Sequence, residues 1–366
     1  MAAERNQAVD MVRAIALFGI AVVNLPFLAL PADATLYLPA DGIDRIAVVL
    51  VELLFQAKFF LLFSFIFGWG IEIQFRAANQ KGASFARRFS RRLACLAVLG
   101  MLHATLVFTG DILLLYALLG LVAWAARPLP TRSLLMLAAG LVPVAAGCLI
   151  LLGLMLQGSV VPPDTPNLGG SFIEAVHARW RDWPDSFGFL VLFQGHLALA
   201  AFLAGITAAR TGFFETGNLT AARLKRAVPL LLAAGLVLNS GYVLGLHSDV
   251  LPPALTLAGL SGLALGGPVL ALAWLGMILM AADRIRLPGF LILAGRNSLT
   301  CYVLQGVLAG LVFGGYGLGL FGTLGQMALL PLSLGLTVLS MVLTSAFARV
   351  FGHGPLELLL RRVTYG

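Results

Sequence analysis

The chain has 366 residues, 60% of them hydrophobic and only 11% charged, and its mean hydropathy is +0.97. A soluble domain is about 25% charged, so a soluble globular enzyme is excluded and a polytopic membrane protein is indicated. The net charge of +8 then reads as lysine and arginine gathered in cytoplasmic loops, and no nucleic-acid partner is expected.

In chain order, apolar windows fall near residues 9–30, 46–75, 90–109, 111–126, 133–157, 188–210, 226–246, 254–282, 288–313 and 323–350. At roughly 20 residues per crossing this makes about ten spans. The first begins at Asp10-Met11-Val12-Arg13 and reads as a span, not as a cleavable signal segment. The second is too long for one perpendicular helix and predicts an interfacial turn or a strong tilt. The loop with Arg76, Lys81, Arg87, Arg88, Arg91 and Arg92 is the strongest basic cluster and is placed inside; the preceding loop, with Asp33, Asp41, Asp44 and one Arg45, is placed outside. Counting onward, Arg127/Arg132, Arg210/Arg223/Lys225/Arg226, Arg284/Arg286 and Arg349/Arg361/Arg362 all fall inside. Both termini are therefore expected in the cytoplasm. The stretch 158–187, with Pro162, Pro163, Asp164, Trp180, Trp183 and Pro184, is expected as a periplasmic loop. It divides an N-terminal five-span bundle, 1–157, from a C-terminal one, 188–366. The fold class is all-α, a transmembrane helical bundle without visible internal repeats. Cys95, Cys148 and Cys301 lie in apolar runs with no metal-type spacing and read as small buried residues; no metal is expected.

In this layout Asn24, Glu52, Lys58, His103 and Asp111, from four consecutive spans, fall in one outer-leaflet band. Ionisable groups in a membrane are expensive and point to function by default. Each has a plainer reading. Glu52 and Lys58 can pair with each other. Asp111 follows Gly110 and sits where a helix N-cap belongs. His103 can be interior hydrogen-bonding glue. Gln194 and His196, in the outer half of the sixth span, form a second-line substrate-binding candidate. The ninth span opens with Gly295-Arg296-Asn297-Ser298-Leu299-Thr300 at the cytoplasmic face. A helix start with an arginine suits a phosphate or coenzyme A group, although Arg296 can equally snorkel to lipid headgroups. Gly317-Leu318-Gly319-Leu320-Phe321-Gly322 matches a dinucleotide-binding spacing but lacks the preceding strand that the motif needs.

Four blocks resemble the YeiB-like family of bacterial membrane proteins, a domain of unknown function. They are Asp10-x-x-Arg13 with Gly19-Ile20 and Asn24; Gln56-Ala57-Lys58-Phe59 through Leu62-Phe63-Ser64 to Phe67-Gly68-Trp69-Gly70; Gly100-Met101-Leu102-His103 with Gly110-Asp111-Ile112-Leu113 and Tyr116; and Gly295 to Thr300, Tyr302, Gln305, Gly315 to Gly319 and Gly354-Pro355-Leu356-Glu357. Leu358 stands where a tryptophan often follows in the family. The resemblance extends distantly to transmembrane acyltransferases, such as the lysosomal enzyme that acetylates heparan glucosamine ends from cytosolic acetyl-CoA. Their first span similarly opens with an acid, an arginine and a later asparagine, matching Asp10, Arg13 and Asn24. Their following histidine is missing here, and no histidine precedes His103.

The resemblance implies a bacterial inner-membrane protein that moves an acyl group from acyl-CoA (acetyl-CoA) to a small-molecule, glycan or lipid acceptor at the outer face. His103 is the expected general base, with Asn24, Asp111 and Lys58 beside it, Glu52, Gln194 and His196 toward substrate, and Arg296, Asn297 and Ser298 toward the co-substrate. The alternative is a transporter of a small polar molecule, with the same charges as substrate site or proton relay; an accessory role is a third reading. Membrane lipids are expected neighbours, and small-residue spacing such as Gly262 to Gly266 permits close packing within or between chains, including a homo-oligomer.

Overall fold

A computed structural model describes residues 7–36, 38–39, 42–156, 168–247 and 251–366. Among the described residues every regular element is helical. The helices are α1 (Gln7–Ala29), α2 (Ala32–Leu36), α3 (Gly42–Leu54), α4 (Phe59–Gln80), α5 (Phe85–Leu106), α6 (Leu113–Ala126), α7 (Thr131–Leu156), α8 (Phe172–Leu190), α9 (His196–Arg210), α10 (Leu219–His247), α11 (Pro253–Ala282), α12 (Gly289–Arg296), α13 (Ser298–Phe313), α14 (Gln326–Phe351) and α15 (Pro355–Tyr365). Eight described segments are long and apolar enough to cross a membrane; α6 and α13 are apolar but shorter, at 14 and 16 residues. The chain is a polytopic all-α membrane protein.

Long-range pairs sort the helix ends onto two faces. Arg296 at the end of α12 meets Asp10 in the first turn of α1, and Lys225 meets Asp283. On the opposite face Arg179 of α8 donates to the Leu106 carbonyl at the end of α5 (2.8 Å), and the Met327 N–H donates to Asp44 (2.8 Å). Most of the arginines lie on the first face, called the basic face below.

The two halves interleave. Helix α1 packs on α4 and also on α12, α13 and α14, while α4 packs on α9 and α7 packs on α9 and α11. The five-span bundles expected from the sequence are therefore not separate packing units. The α4–α9 crossing shows why: a Cβ on Gly68 would sit 2.0 Å from the Phe202 carbonyl oxygen, and one on Gly205 would sit 2.0 Å from that of Phe65. Only hydrogen lets these backbones meet, and close approach of this kind is how helices associate in lipid.

Two expectations are revised. Residues 172–187 of the expected periplasmic loop are helical, and α8 runs through a π-helical turn, Val191–Gly195, into α9. A capping box starts it: the Ser171 hydroxyl accepts the Glu174 N–H, and the Glu174 carboxylate accepts the Ser171 N–H (2.7 Å). Trp180 and Trp183 stack one turn apart on its surface, with centroids 6.5 Å apart. Asp41 and Pro162-Pro163-Asp164 lie outside the described residues.

The long second window is not one continuous helix. It is broken between α3 and α4, with Ala57 in the left-handed region at φ 63°. The Phe55 and Gln56 N–H groups both donate to the Val51 carbonyl and the Lys58 N–H donates to the Phe55 carbonyl, so Glu52 and Leu54 lose their helical acceptor roles. Each unsatisfied backbone group in lipid costs several kcal/mol. Side chains fill the gap: the Lys58 ammonium donates to the Glu52 carbonyl (2.8 Å) and the Trp274 indole N–H donates to the Leu54 carbonyl (3.2 Å). Lys58 is fully buried, and its stem reaches this carbonyl along the break. Replacing it, Lys58→Met, leaves the carbonyl without a donor and should destabilise the protein by about 1–3 kcal/mol, read as a lower thermal-unfolding midpoint in detergent; an unchanged midpoint would remove the stapling role.

Candidate functional site

His103 lies in the last turn of α5, which the Val107 and Phe108 N–H groups close onto the His103 carbonyl. Six residues separate the end of α5 from the start of α6. Between them Asp111 uses its two oxygens separately. Oδ2 accepts the Leu113 N–H (2.8 Å), satisfying a first-turn donor of α6, and Oδ1 meets His103 Nδ1 (2.8 Å). The capping and catalytic readings of Asp111 are thus compatible in one side chain. Both side chains are almost wholly buried. The Tyr302 hydroxyl of α13 donates to the same Oδ1 (3.3 Å), and its ring lies 5.1 Å from the imidazole centroid.

A carboxylate can only accept, so in the neutral ring the hydrogen sits on Nδ1 and Nε2 holds a lone pair. That Nε2 is buried and has no hydrogen-bond partner. A satisfied structural histidine would use both nitrogens. Gly306 makes room for this edge of the ring: a Cβ there would stand 2.9 Å from Nε2 and 2.7 Å from Val107 Cγ1.

Two cavities flank this group. The larger, about 680 Å³, lies on the basic-face side. Arg13, Arg76, Arg92, Arg296 and Arg361 line it together with Asp10, Glu215 and Glu357; Phe63, Phe67 and Trp69 contribute aromatic wall, and Ile112, Leu113, Tyr116 and Tyr302 also border it. The smaller, about 30 Å³, is bordered by Asn24, His103, Tyr302, Gln305, Ser333 and Thr337, among apolar neighbours such as Leu28 and Phe108. It can hold one or two waters, or the hydroxyl end of a larger molecule. Tyr302 borders both cavities and stands between them.

The sequence candidates divide. His103, Asp111 and Asn24 gather at this site. Glu52 and Lys58 do not line either cavity; Glu52 is held by His247 Nε2 at 2.8 and 2.9 Å, a partner at the far end of α10 that sequence reading missed. Gln194 belongs to the π-helical turn and His196 follows it, with Nδ1 on the Leu192 carbonyl (3.1 Å). Arg296, Asn297 and Ser298 line the large cavity. Arg296 pairs with Asp10 (2.7 Å). Asn297 is tied to Leu293 and Gly354, and the N–H groups of Leu299 and Thr300 at the start of α13 donate to the Glu357 carboxylate (2.8 and 3.1 Å). This helix start is occupied by the chain's own anion, so an external anion would depend on the arginine side chains. Burial pushes the Glu357 carboxyl above its usual range, and the bonds from Thr300 and Leu299 pull it back. Tyr302, Arg13, Arg92 and Arg361 were not singled out as site residues in the sequence; a tyrosine two residues after Thr300 carried the only hint. Among the described residues no three metal-type ligands converge.

Residues 208–366 match the family described as a protein of unknown function, DUF418. The chain is 29% identical to the uncharacterized protein YxaH of Bacillus subtilis (strain 168), covering 99% of this chain and 94% of that one. It is 27% identical to the uncharacterized protein YeiB of Escherichia coli (strain K12), covering 99% and 96%. No solved structure matches it.

The site makes a contrast that two glycine substitutions test. Gly306→Ala drives a methyl into His103 Nε2 and Val107 and should cost about 1–3 kcal/mol. Gly147→Ala, in a helix with nothing within 4 Å of the added carbon, should be neutral or stabilising by up to about 1 kcal/mol. Thermal unfolding of both in one detergent gives the comparison; equal shifts would mean that α13 does not press on the imidazole.

Proposed function

For this YeiB-like membrane protein we propose transmembrane acyl transfer: an acyl group passes from acyl-CoA on the cytoplasmic side to an acceptor on the outer side of the bacterial inner membrane. One observation carries the reading. A buried His103–Asp111–Tyr302 group, with an unpartnered His103 Nε2, lies between an arginine-lined cavity and a small, mostly apolar pocket that Asn24, Gln305, Ser333 and Thr337 border. By the positive-inside rule the basic face is the cytoplasmic one, and both termini lie there.

The roles follow from the geometry. The acceptor's hydroxyl or amine enters the small pocket and gives its proton to Nε2, while Asp111 keeps the hydrogen on Nδ1 and steadies the imidazolium that forms. Attack on the thioester carbonyl makes a tetrahedral oxyanion, which the Asn24 amide or the Tyr302 hydroxyl is placed to stabilise. Collapse expels the thiolate, and the proton held by His103 leaves with it as the thiol. Tyr302 must move aside for the reacting carbon to reach Nε2, which makes it the partition between donor and acceptor sides. Lys58, committed to the Glu52 carbonyl, has no part in this scheme.

A carrier is the second reading, and one feature favours it. Both the α3–α4 and α12–α13 segments are broken helices, the construction many transporters use at a substrate site.

The test is acyl transfer by purified protein in vesicles supplied with acetyl-CoA, scored with a panel of outer-face hydroxyl and amine acceptors. His103→Ala should lower the rate by about 10²–10⁴-fold in protein that still elutes as a folded species. Tyr302→Phe, which keeps the ring, should lose much less. Substrate flux without consumption of acetyl-CoA would favour the carrier, and transfer intact in His103→Ala would remove the proposed base.

A further inference from the structure

Beside the large cavity lies a second chamber of about 420 Å³, between the end of α4, the start of α5 and α15. Its volume is that of a small-molecule site, about 300–1,000 Å³. Gln74 and Arg361 line both spaces, so the chamber adjoins the large cavity that Tyr302 lines. Its charged lining is Lys81, Arg88 and Arg361, with no acidic side chain among them. The Tyr365 ring lies beneath two of these cations, 5.2 Å from the Arg88 guanidinium and 5.8 Å from that of Arg361. A second observation points to an anionic ligand: Arg92, which lines the large cavity, has a buried Nε with no hydrogen-bond partner.

We propose that this side chamber binds the phosphorylated nucleotide head of the donor, with its phosphates on Lys81, Arg88 and Arg361 and its base against Tyr365. Arg92 then meets an anionic group where the donor turns into the large cavity. The inference rests on the acyl-transfer reading for the acyl end alone and deepens it by giving the head of its acyl-CoA donor a site of its own. Guanidinium and ammonium groups recognise phosphate through charge-assisted hydrogen bonds, and an aromatic face is a platform for a base. A lipid headgroup offers the same phosphate chemistry but has no base and no reason to span two joined chambers.

The probe is adenosine 3′,5′-bisphosphate, which has a head but no arm and no thioester. Calorimetry on the full chain in detergent should show saturable binding, competed by coenzyme A. Arg88→Ala and Arg361→Ala should each weaken it by at least about tenfold, and Arg88→Lys should retain more of it than Arg88→Ala. Lys225→Ala, a cation of the same face paired with Asp283, should leave it unchanged. No binding at millimolar probe, or binding indifferent to Arg88 and Arg361, would overturn the assignment. So would a failure to bind the probe together with loss of co-purifying phosphatidylglycerol in Arg88→Ala, which would make the chamber a lipid headgroup site. The two readings fail separately: probe binding without any acyl transfer would keep the head site and sink the transfer reading, while transfer with a donor KM unaltered by Arg88→Ala would do the reverse.

Discussion

The site depends on how one carboxylate is divided. Asp111 sits in a short connection between two helices, where an acid is normally there to cap. Oδ2 does that for Leu113, and the loop so fixed presents Oδ1 to His103 and to the Tyr302 hydroxyl. Neither oxygen could be dropped alone. Without the cap, α6 would start elsewhere and Oδ1 would lose its place. Without Oδ1, the imidazole would lose the partner that sets its tautomer. A carboxylate that holds a histidine by its far nitrogen is a recurrent device in catalysis, and here the same carboxylate also starts a helix.

This arrangement answers why polar side chains are tolerated in so apolar a chain. Among the described residues, the buried Lys58, Glu52 and Glu72 each have defined partners. Lys58 serves a broken backbone, Glu52 holds His247, and Glu72 on the basic face gathers Arg76, Arg127 and Arg210 at 3.3, 2.9 and 3.5 Å. Buried charges persist in this way when opposite charge or donors surround them. Against that background, the orphaned Nε2 of His103 and Nε of Arg92 stand out. Both border cavities, where a ligand could supply the missing partner.

The legible part of the fold was the apolar rhythm. Each of the ten windows overlaps a helix because spans require long apolar runs, but the excess length of the second was read as a turn or tilt and not as a break within it. The break's position was not legible, since it is set by Ala57 and by two donors, Lys58 and Trp274, that meet the freed carbonyls only in three dimensions. The α8 helix was hidden by Pro184 and by the polar run before it, although Ser171-x-x-Glu174 carried its start. For the site, sequence supplied depth and not direction. Counting spans placed Asn24, Glu52, Lys58, His103 and Asp111 in one layer, but a layer says nothing about which way each helix face turns. Glu52 and Lys58 look toward α10 and α11; His103 and Asp111 look toward α13. Tyr302 and His247 come from 191 and 195 residues away, beyond the reach of any spacing argument.

The broken helices also bear on which functional reading the architecture suits. In carriers that use this construction, half-helix ends are left free so that substrate and ions can take their N–H and C=O groups. Here the chain satisfies its own breaks. Lys58 and Trp274 fill the carbonyls at the first, and at the second Asn297 is tied on both sides while Glu357 takes the opening N–H groups of α13. Such staples hold the breaks shut and make them fixed supports. A rocking carrier would have to undo them in each cycle, leaving bare backbone groups in an apolar interior. A fixed site, as proposed, needs only one small movement, the swing of Tyr302, between the two cavities that it borders. That asymmetry in what must be broken is the physical ground for preferring group transfer at a stationary histidine over translocation through it.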